Sequence, residues 1–220
     1  MKTVITLLHP SRGRAKKAKA TLENWLNKAS GKHHIEHILS LDLDDKALPD
    51  YIEEFQDVKG SAGISSNNTC VVEATNKAAA QARGHILIYL SDDFNCPENW
   101  DELVVNKFKG RMDEPALLKV VDCIHAYEIG VLTIPIMTKA MYAKLGYFWH
   151  PGYRSMFVDE DLYWTCVNNN WLIDGRELQF PHEHCCVGKA ERDETYIRSE
   201  ANWDTGKAFF AERKAQNFPL

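Results

Sequence analysis

The residues with the clearest chemical promise are Leu90-Ser91-Asp92-Asp93. They end the apolar run His85-Ile86-Leu87-Ile88-Tyr89-Leu90, which predicts a central strand with two carboxylates at its mouth. Adjacent carboxylates repel unless a cation neutralises them, and hard divalent ions prefer oxygen ligands. A metal that keeps open positions can then grip a diphosphate. A solvated Asp-Asp turn capping the next helix accounts for the same residues equally well.

Three other groups carry chemistry. Pro10-Ser11-Arg12-Gly13-Arg14, followed by Lys16, Lys17 and Lys19, combines guanidinium groups with a helix start, a combination that binds phosphate. The GxxxxGK[ST] spacing of a P-loop is absent, and a plain basic helix start is the competing account. Phe157-Val158-Asp159-Glu160-Asp161-Leu162 opens a helix with three carboxylates, more than capping requires, and one can act as a general base toward an acceptor hydroxyl. In Phe180-Pro181-His182-Glu183-His184-Cys185-Cys186, an extended backbone turns His182 and His184 the same way, so the pair can ligate a metal. No finger-like set of further ligands accompanies them, and Cys185-Cys186 is a weaker metal or redox candidate. Asp42, ending a strand, can accept hydrogen bonds from a base or ribose, although a lone Asp there also suits a turn. His33, His34 and His37 flank a surface turn and carry no signal.

Positioning these groups takes an alternating α/β chain. Thr3 to Leu8 reads as a buried strand, and Ala15, Ala18, Leu22, Trp25, Leu26 and Ala29 as a helix face ending at Gly31. Ile35 to Leu41 is a second strand. The acidic segment from Asp42 to Lys59 reads as loop plus a short helix broken by Pro49. A helix through Val71, Ala74, Thr75, Ala78 and Ala82 precedes the central strand. Strands at Leu117 to Val121 and Val131 to Ile136, a helix over Thr138 to Leu145, a helix from Asp159 to Asn169 and short strands near Leu172 and Leu178 follow. The stretch Tyr147 to Arg154 reads as an aromatic covering loop, and a charged helical tail closes the chain.

The 220 residues, 45% of them hydrophobic, suffice for a full core. A formal net charge of −5 argues against coating a polyanion or an anionic membrane by bulk charge. No apolar run is long enough to span a bilayer, and no signal peptide is apparent, so the six scattered cysteines read as reduced thiols of a cytoplasmic protein.

The order of these features resembles family 2-like glycosyltransferases of GT-A fold. The run Asn76-Lys77-Ala78-Ala79-Ala80-Gln81-Ala82-Arg83-Gly84-His85-Ile86-Leu87-Ile88-Tyr89-Leu90-Ser91-Asp92-Asp93 is similar to that family's Asn-bearing helix, apolar strand and Asp-rich metal motif. The resemblance covers about residues 1 to 185. It implies a single Rossmann-like nucleotide-diphospho-sugar transferase domain over 1–220, with a mixed central sheet flanked by helices. Residues 1–95 would form the nucleotide-sugar half, 96–185 the acceptor and catalytic half, and 186–220 a helical tail. Donor binding would fall to Pro10, Ser11, Arg12, Arg14, Asp42, Asn76, Ser91 and Asp92, metal binding to Asp93 with His182 or His184, and catalysis to Asp159 and Glu160. Ser91 stands where many members have the first Asp of D-x-D, so Asp93 is the expected ligand and Asp92 faces the donor's ribose or sugar. The activity implied is Mn²⁺- or Mg²⁺-dependent, inverting transfer of one sugar from a nucleoside-diphosphate sugar, UDP-linked by preference. The acceptor would be a glycan, a small molecule or a modified nucleic acid. No Q-x-x-R-W signature of processive synthases is present. A sugar nucleotidyltransferase is the rival enzyme, though its glycine-rich loop is poorly matched. A non-catalytic glycan- or nucleic-acid-binding module, using the basic stretch from Arg12 to Lys32, is the rival from another class.

Overall fold

The computed structural model describes residues 2–125 and 128–220. Its elements run β1 (Val4–Ser11), α1 (Ala15–Asn27), β2 (His34–Asp42), α2 (Leu48–Phe55), β3 (Ser61–Ser66), α3 (Val71–Gln81) and β4 (Ile86–Tyr89). There follow α4 (Trp100–Lys107), β5 (Leu117–Val121), β6 (Ile136–Thr138), α5 (Lys139–Leu145), α6 (Val158–Asn168), β7 (Leu172–Gln179), α7 (Glu194–Glu200) and α8 (Trp203–Ala215). The strands form one mixed sheet in the order β3-β2-β1-β4-β6-β5-β7. Strands β1 to β4 are parallel, and β6 runs against both its neighbours.

Period-two alternation divides each central strand between two cores. Ile5 and Leu7 of β1 and Ile86 and Ile88 of β4 face α1 and α4, meeting Leu22, Trp25, Trp100 and Val104. Leu8 and Leu87 face the other way, toward Val72 and Ala78 of α3, Met141 of α5 and Leu162 of α6. Burial on both faces is why these strands read as nearly continuous apolar runs. Gly84 permits the tight entry into β4: a Cβ there would lie 2.5 Å from Thr6 Oγ1 and 2.7 Å from its backbone N.

The structure departs from expectation at four places. Pro49 begins α2 rather than breaking it, since its missing N–H is no loss in a first helical turn. The polar segment Ser61-Ala62-Gly63-Ile64-Ser65-Ser66 forms edge strand β3, where one neighbour suffices and little side-chain burial is needed. Helix α4, anchored by fully buried Trp100, lies where no helix was expected. The strand expected over 131–136 is confined to Ile136–Thr138, because Pro135 has no N–H for the ladder and offers only its carbonyl, to Tyr89 N–H at 3.2 Å. Among the described residues, no helix is long and apolar enough to cross a membrane.

Candidate functional site

Parallel β1, β2 and β4 all deliver their carboxyl ends to one rim of the sheet, the position where open α/β folds bind ligands. A cavity of about 930 Å³ opens there. Pro10, Ser11, Arg12, Arg14, Asp42, Ser91, Asp92, Asp93, Asp159, Glu160, His182 and His184 all line it. Asn76 does not. Its Oδ1 accepts from the N–H groups of Phe148 (3.0 Å) and Trp149 (2.9 Å), and its Nδ2 donates to the Trp149 carbonyl at 2.7 Å. Asn76 therefore clamps the aromatic loop to α3 rather than facing the cavity.

Asp93 is 5% exposed. Its Oδ2 accepts from the Tyr196 hydroxyl at 2.6 Å and lies 3.4 Å from His182 Nε2, while Oδ1 is buried with no hydrogen-bond partner. Burial favours the neutral acid, but the adjacent His182 and the hydrogen bond from Tyr196 outweigh it and hold the carboxyl below the usual range. The His182 Nδ1 is likewise buried and unpartnered. His184 packs edge-on against Tyr196 and His182, and its Nδ1 accepts from the Cys186 N–H at 3.2 Å. An ionised carboxylate with one free oxygen beside an imidazole suits a hard divalent ion. Among the described residues, no three His, Cys, Asp or Glu side chains gather into a self-sufficient cage. An ion that takes its remaining ligands from phosphate and water does not require one.

The turn after β1 differs from the expected phosphate cradle. Gly13 N–H donates to Asp45 Oδ2 at 2.8 Å, and Arg14 N–H donates to the Tyr51 hydroxyl at 2.9 Å. Arg12 donates to Asp42 Oδ2 (2.9 Å) and Asp44 Oδ1 (2.5 Å). The acidic segment after β2 thus folds onto the turn and occupies its donors. Arg14 faces the acidic rim of a cavity that Arg154 and Arg198 also line: its guanidinium stacks over the Tyr196 ring at 4.5 Å and feels the charges of Asp92 and Asp93. It also forms a two-pronged pair with Asp193, at 2.7 and 2.6 Å. Asp42 is held by Arg12 and by Asn68 Nδ2 at 3.0 Å.

The carboxylates at the start of α6 separate by environment. Asp161 is 2% exposed and turned into the core, where Arg213 of α8 and the Tyr153 hydroxyl hold it. Asp159 and Glu160 line the cavity. Burial pushes the Asp159 carboxyl up, and burial together with the charges of Asp159 and Glu128 pushes Glu160 up.

Several contributors lie outside the groups singled out by residue type and spacing. Tyr196, Asp193 and Arg198 come from the charged helical tail, and His37, read as flanking a surface turn, is 2% exposed and bonded to His9 and Ser61. A signal for α7 was present, since Asp193 caps it by accepting from the Thr195 and Tyr196 N–H groups. Nothing local marked Tyr196 as the partner of a carboxylate 103 residues earlier.

No family model and no curated protein matches the chain. Solved structures do. A mannosyltransferase, PcManGT from Pyrobaculum calidifontis, in complex with GDP-Man and Mn²⁺, superposes with TM-score 0.69 at 12% identity, over 96% of this chain and 65% of that one. GalNAc-T7 with UDP, GalNAc and Mn²⁺ gives 0.67 at 12% identity, over 100% and 52%. TarS 1-349 of S. aureus in complex with UDP gives 0.62 at 14% identity, over 82% of this chain and 59% of that one. The chain thus spans about three fifths or less of two of these three proteins. Strand order, flanking helices and these superpositions agree that the chain has the GT-A fold of glycosyltransferases.

Proposed function

We propose that the chain is a divalent-metal-dependent glycosyltransferase that moves one sugar from a nucleoside-diphosphate sugar, UDP-linked by preference, to a hydroxyl of a discrete acceptor. One observation carries this reading. A single cavity at the carboxyl ends of the parallel strands of a GT-A fold collects Asp93 with its unpartnered oxygen, the cation Arg14, and Asp159 with its raised pKa.

Asp93 and His182, with His184 beside them, would hold Mn²⁺ or Mg²⁺, which when bound supplies positive charge to the leaving diphosphate. Arg14 adds a fixed charge of the same sign that needs no reorganisation during reaction. Asp42, kept in place by Arg12 and Asn68, offers acceptor oxygens to the nucleoside, and Asp92 does so to the donor's ribose or sugar. Asp159 takes the proton of the acceptor hydroxyl as its oxygen bonds to the anomeric carbon and the carbon–oxygen bond to the diphosphate breaks. That direct displacement inverts the anomeric centre. A base with a raised pKa is better matched to proton transfer near neutrality than an ordinary Asp.

The test is a panel of UDP- and GDP-sugars with Mn²⁺, read by donor hydrolysis and by thermal stabilisation, each repeated with chelator. Metal-dependent stabilisation by at least one donor is expected, and indifference to every nucleotide would overturn the reading. Mn²⁺ in the PcManGT and GalNAc-T7 complexes, UDP with TarS and GalNAc-T7, and GDP-Man with PcManGT guide the choice of panel.

A further inference from the structure

Two buried histidines that take no part in the transfer chemistry form a continuous chain ending on Asp92. His9 on β1 is 0% exposed and His37 on β2 is 2% exposed. His9 Nε2 lies 2.9 Å from Asp92 Oδ1, His9 Nδ1 lies 3.0 Å from His37 Nε2, and His37 Nδ1 lies 2.7 Å from Ser61 Oγ. The chain therefore crosses β1 and β2 from the cavity to the edge strand β3.

Its polarity follows from donor arithmetic. An ionised carboxylate only accepts, so His9 Nε2 carries a proton toward Asp92. In a neutral ring the other nitrogen accepts, which makes His37 Nε2 the donor to His9, and His37 Nδ1 the acceptor of the Ser61 hydroxyl proton. Burial pushes His37 toward its neutral form, as this arrangement requires. Every donor in the chain then points toward Asp92. Ser11 Oγ donates to the same Asp92 Oδ1 at 2.8 Å and is itself within 2.6 Å of the Tyr51 hydroxyl. One oxygen of Asp92 is thus fully engaged from behind, while the residue still lines the cavity.

We propose that His9 and His37 are positioning residues that lock Asp92 in one orientation, so that its second oxygen selects donors by a hydroxyl on their sugar. The inference rests on the reading of the cavity as a donor site. A rigid, desolvated acceptor discriminates strongly against a ligand that lacks the matching hydroxyl, whereas a mobile one does not. The chain converts an ordinary aspartate into such an element.

Two measurements test it. Long-range ¹H–¹⁵N spectra of the histidine rings should find His9 and His37 both neutral with the proton on Nε2 at pH 7. A charged ring, or a proton on Nδ1 of either, would overturn the chain. Calorimetry with Mn²⁺ then compares UDP and GDP with UDP-glucose, UDP-GlcNAc and GDP-mannose, carrying forward the tightest sugar nucleotide. His37→Leu should weaken that ligand relative to its bare nucleotide on the order of tenfold, the scale of a hydrogen bond to a charged group. Binding of the bare nucleotide should stay within about twofold, inside the scatter expected when no contact is lost. His37→Gln, whose amide can donate to His9 and accept from Ser61, should restore the ratio. Equal losses for sugar nucleotide and bare nucleotide, or no loss at all, would refute the positioning role. If His37→Leu fails to fold, Ser61→Ala serves instead, with a mixed His37 tautomer and a smaller loss of the same ratio expected. Failure of the wild-type protein to bind any nucleotide would bring down the donor reading and this proposal together, whereas nucleotide binding with the wrong tautomers would bring down this proposal alone.

Discussion

At Asp93 a buried carboxylate keeps one oxygen without a partner, an arrangement that costs stability unless a ligand uses it. Asp93→Asn should lower transfer by roughly 10²- to 10³-fold, the usual effect of removing one electrostatic stabiliser, without loss of the folded baseline by circular dichroism. Asp159 makes a second prediction, about pH. Its pKa is raised in the folded protein, so the fold binds its proton more tightly than the unfolded chain does. Stability therefore falls as pH rises through the window between the ordinary Asp value and the raised one, and ionised Asp159 is a burden at neutrality. Asp159→Asn should raise the thermal midpoint at pH 7, with no such gain at pH 3, while cutting kcat by about 10²- to 10⁴-fold. Loss of stability at pH 7 would contradict this account. Asp93 and Asp159 stand out in the sequence because carboxylates at element mouths are conspicuous. It concealed His9 and His37, which lie within apolar strands and acquire meaning only when strand register pairs Leu7 with His37 and Leu8 with Ile38.

At the scale of elements, α6 is pinned to α8 through the Asp161–Arg213 pair, whose side chains are 2% and 8% exposed. Arg213→Met leaves Asp161 charged and unpaired in the core, so a loss of about 3 to 5 kcal/mol is expected by denaturant titration. The double variant Asp161→Leu, Arg213→Met should recover most of it, because a buried pair replaced on both sides is nearly neutral. Gly206 makes the approach of α8 possible, since a Cβ there would sit 2.5 Å from the Met156 carbonyl oxygen. Phe157, just before α6, holds a φ of 69°, an uncommon state for a bulky residue, and packs against Trp203 and Phe210 of α8. Helix α8 thereby supports the backbone that presents Asp159. Periodicity revealed α1, α3 and β4, whose buried faces are long and regular. It missed β3 and α4, one because its side chains are small and polar, the other because buried Trp100 and Asp101 follow one another and blur the apolar stripe.

Over the whole molecule, the formal charge of −5 is arranged in opposed segments. The basic start of α1 is answered by the acidic stretch after β2: Arg12 by Asp42 and Asp44, Gly13 N–H by Asp45, Lys19 by Glu54. Charges matched inside the fold are not available to release counterions from a polyanion. Duplex DNA should accordingly bind no more tightly than the roughly 10⁻⁴ M limit of non-specific association at physiological salt, measured by fluorescence anisotropy. Submicromolar binding would revive the nucleic-acid alternative. Composition points the same way through its net negative charge, and tertiary structure adds the pairing that withholds the basic groups.

The pairing of Arg14 with Asp193 and of Asp93 with Tyr196 joins residues 179 and 103 positions apart. The seven strands of the described sheet are in hand by Gln179, yet the cavity wall draws on residues from Thr195 to Trp203. The residues of the sheet are therefore complete in the chain before those that cover Asp93 and Arg14 have been added. The rim of the sheet is a late clasp, closed by the part of the chain with the least regular pattern.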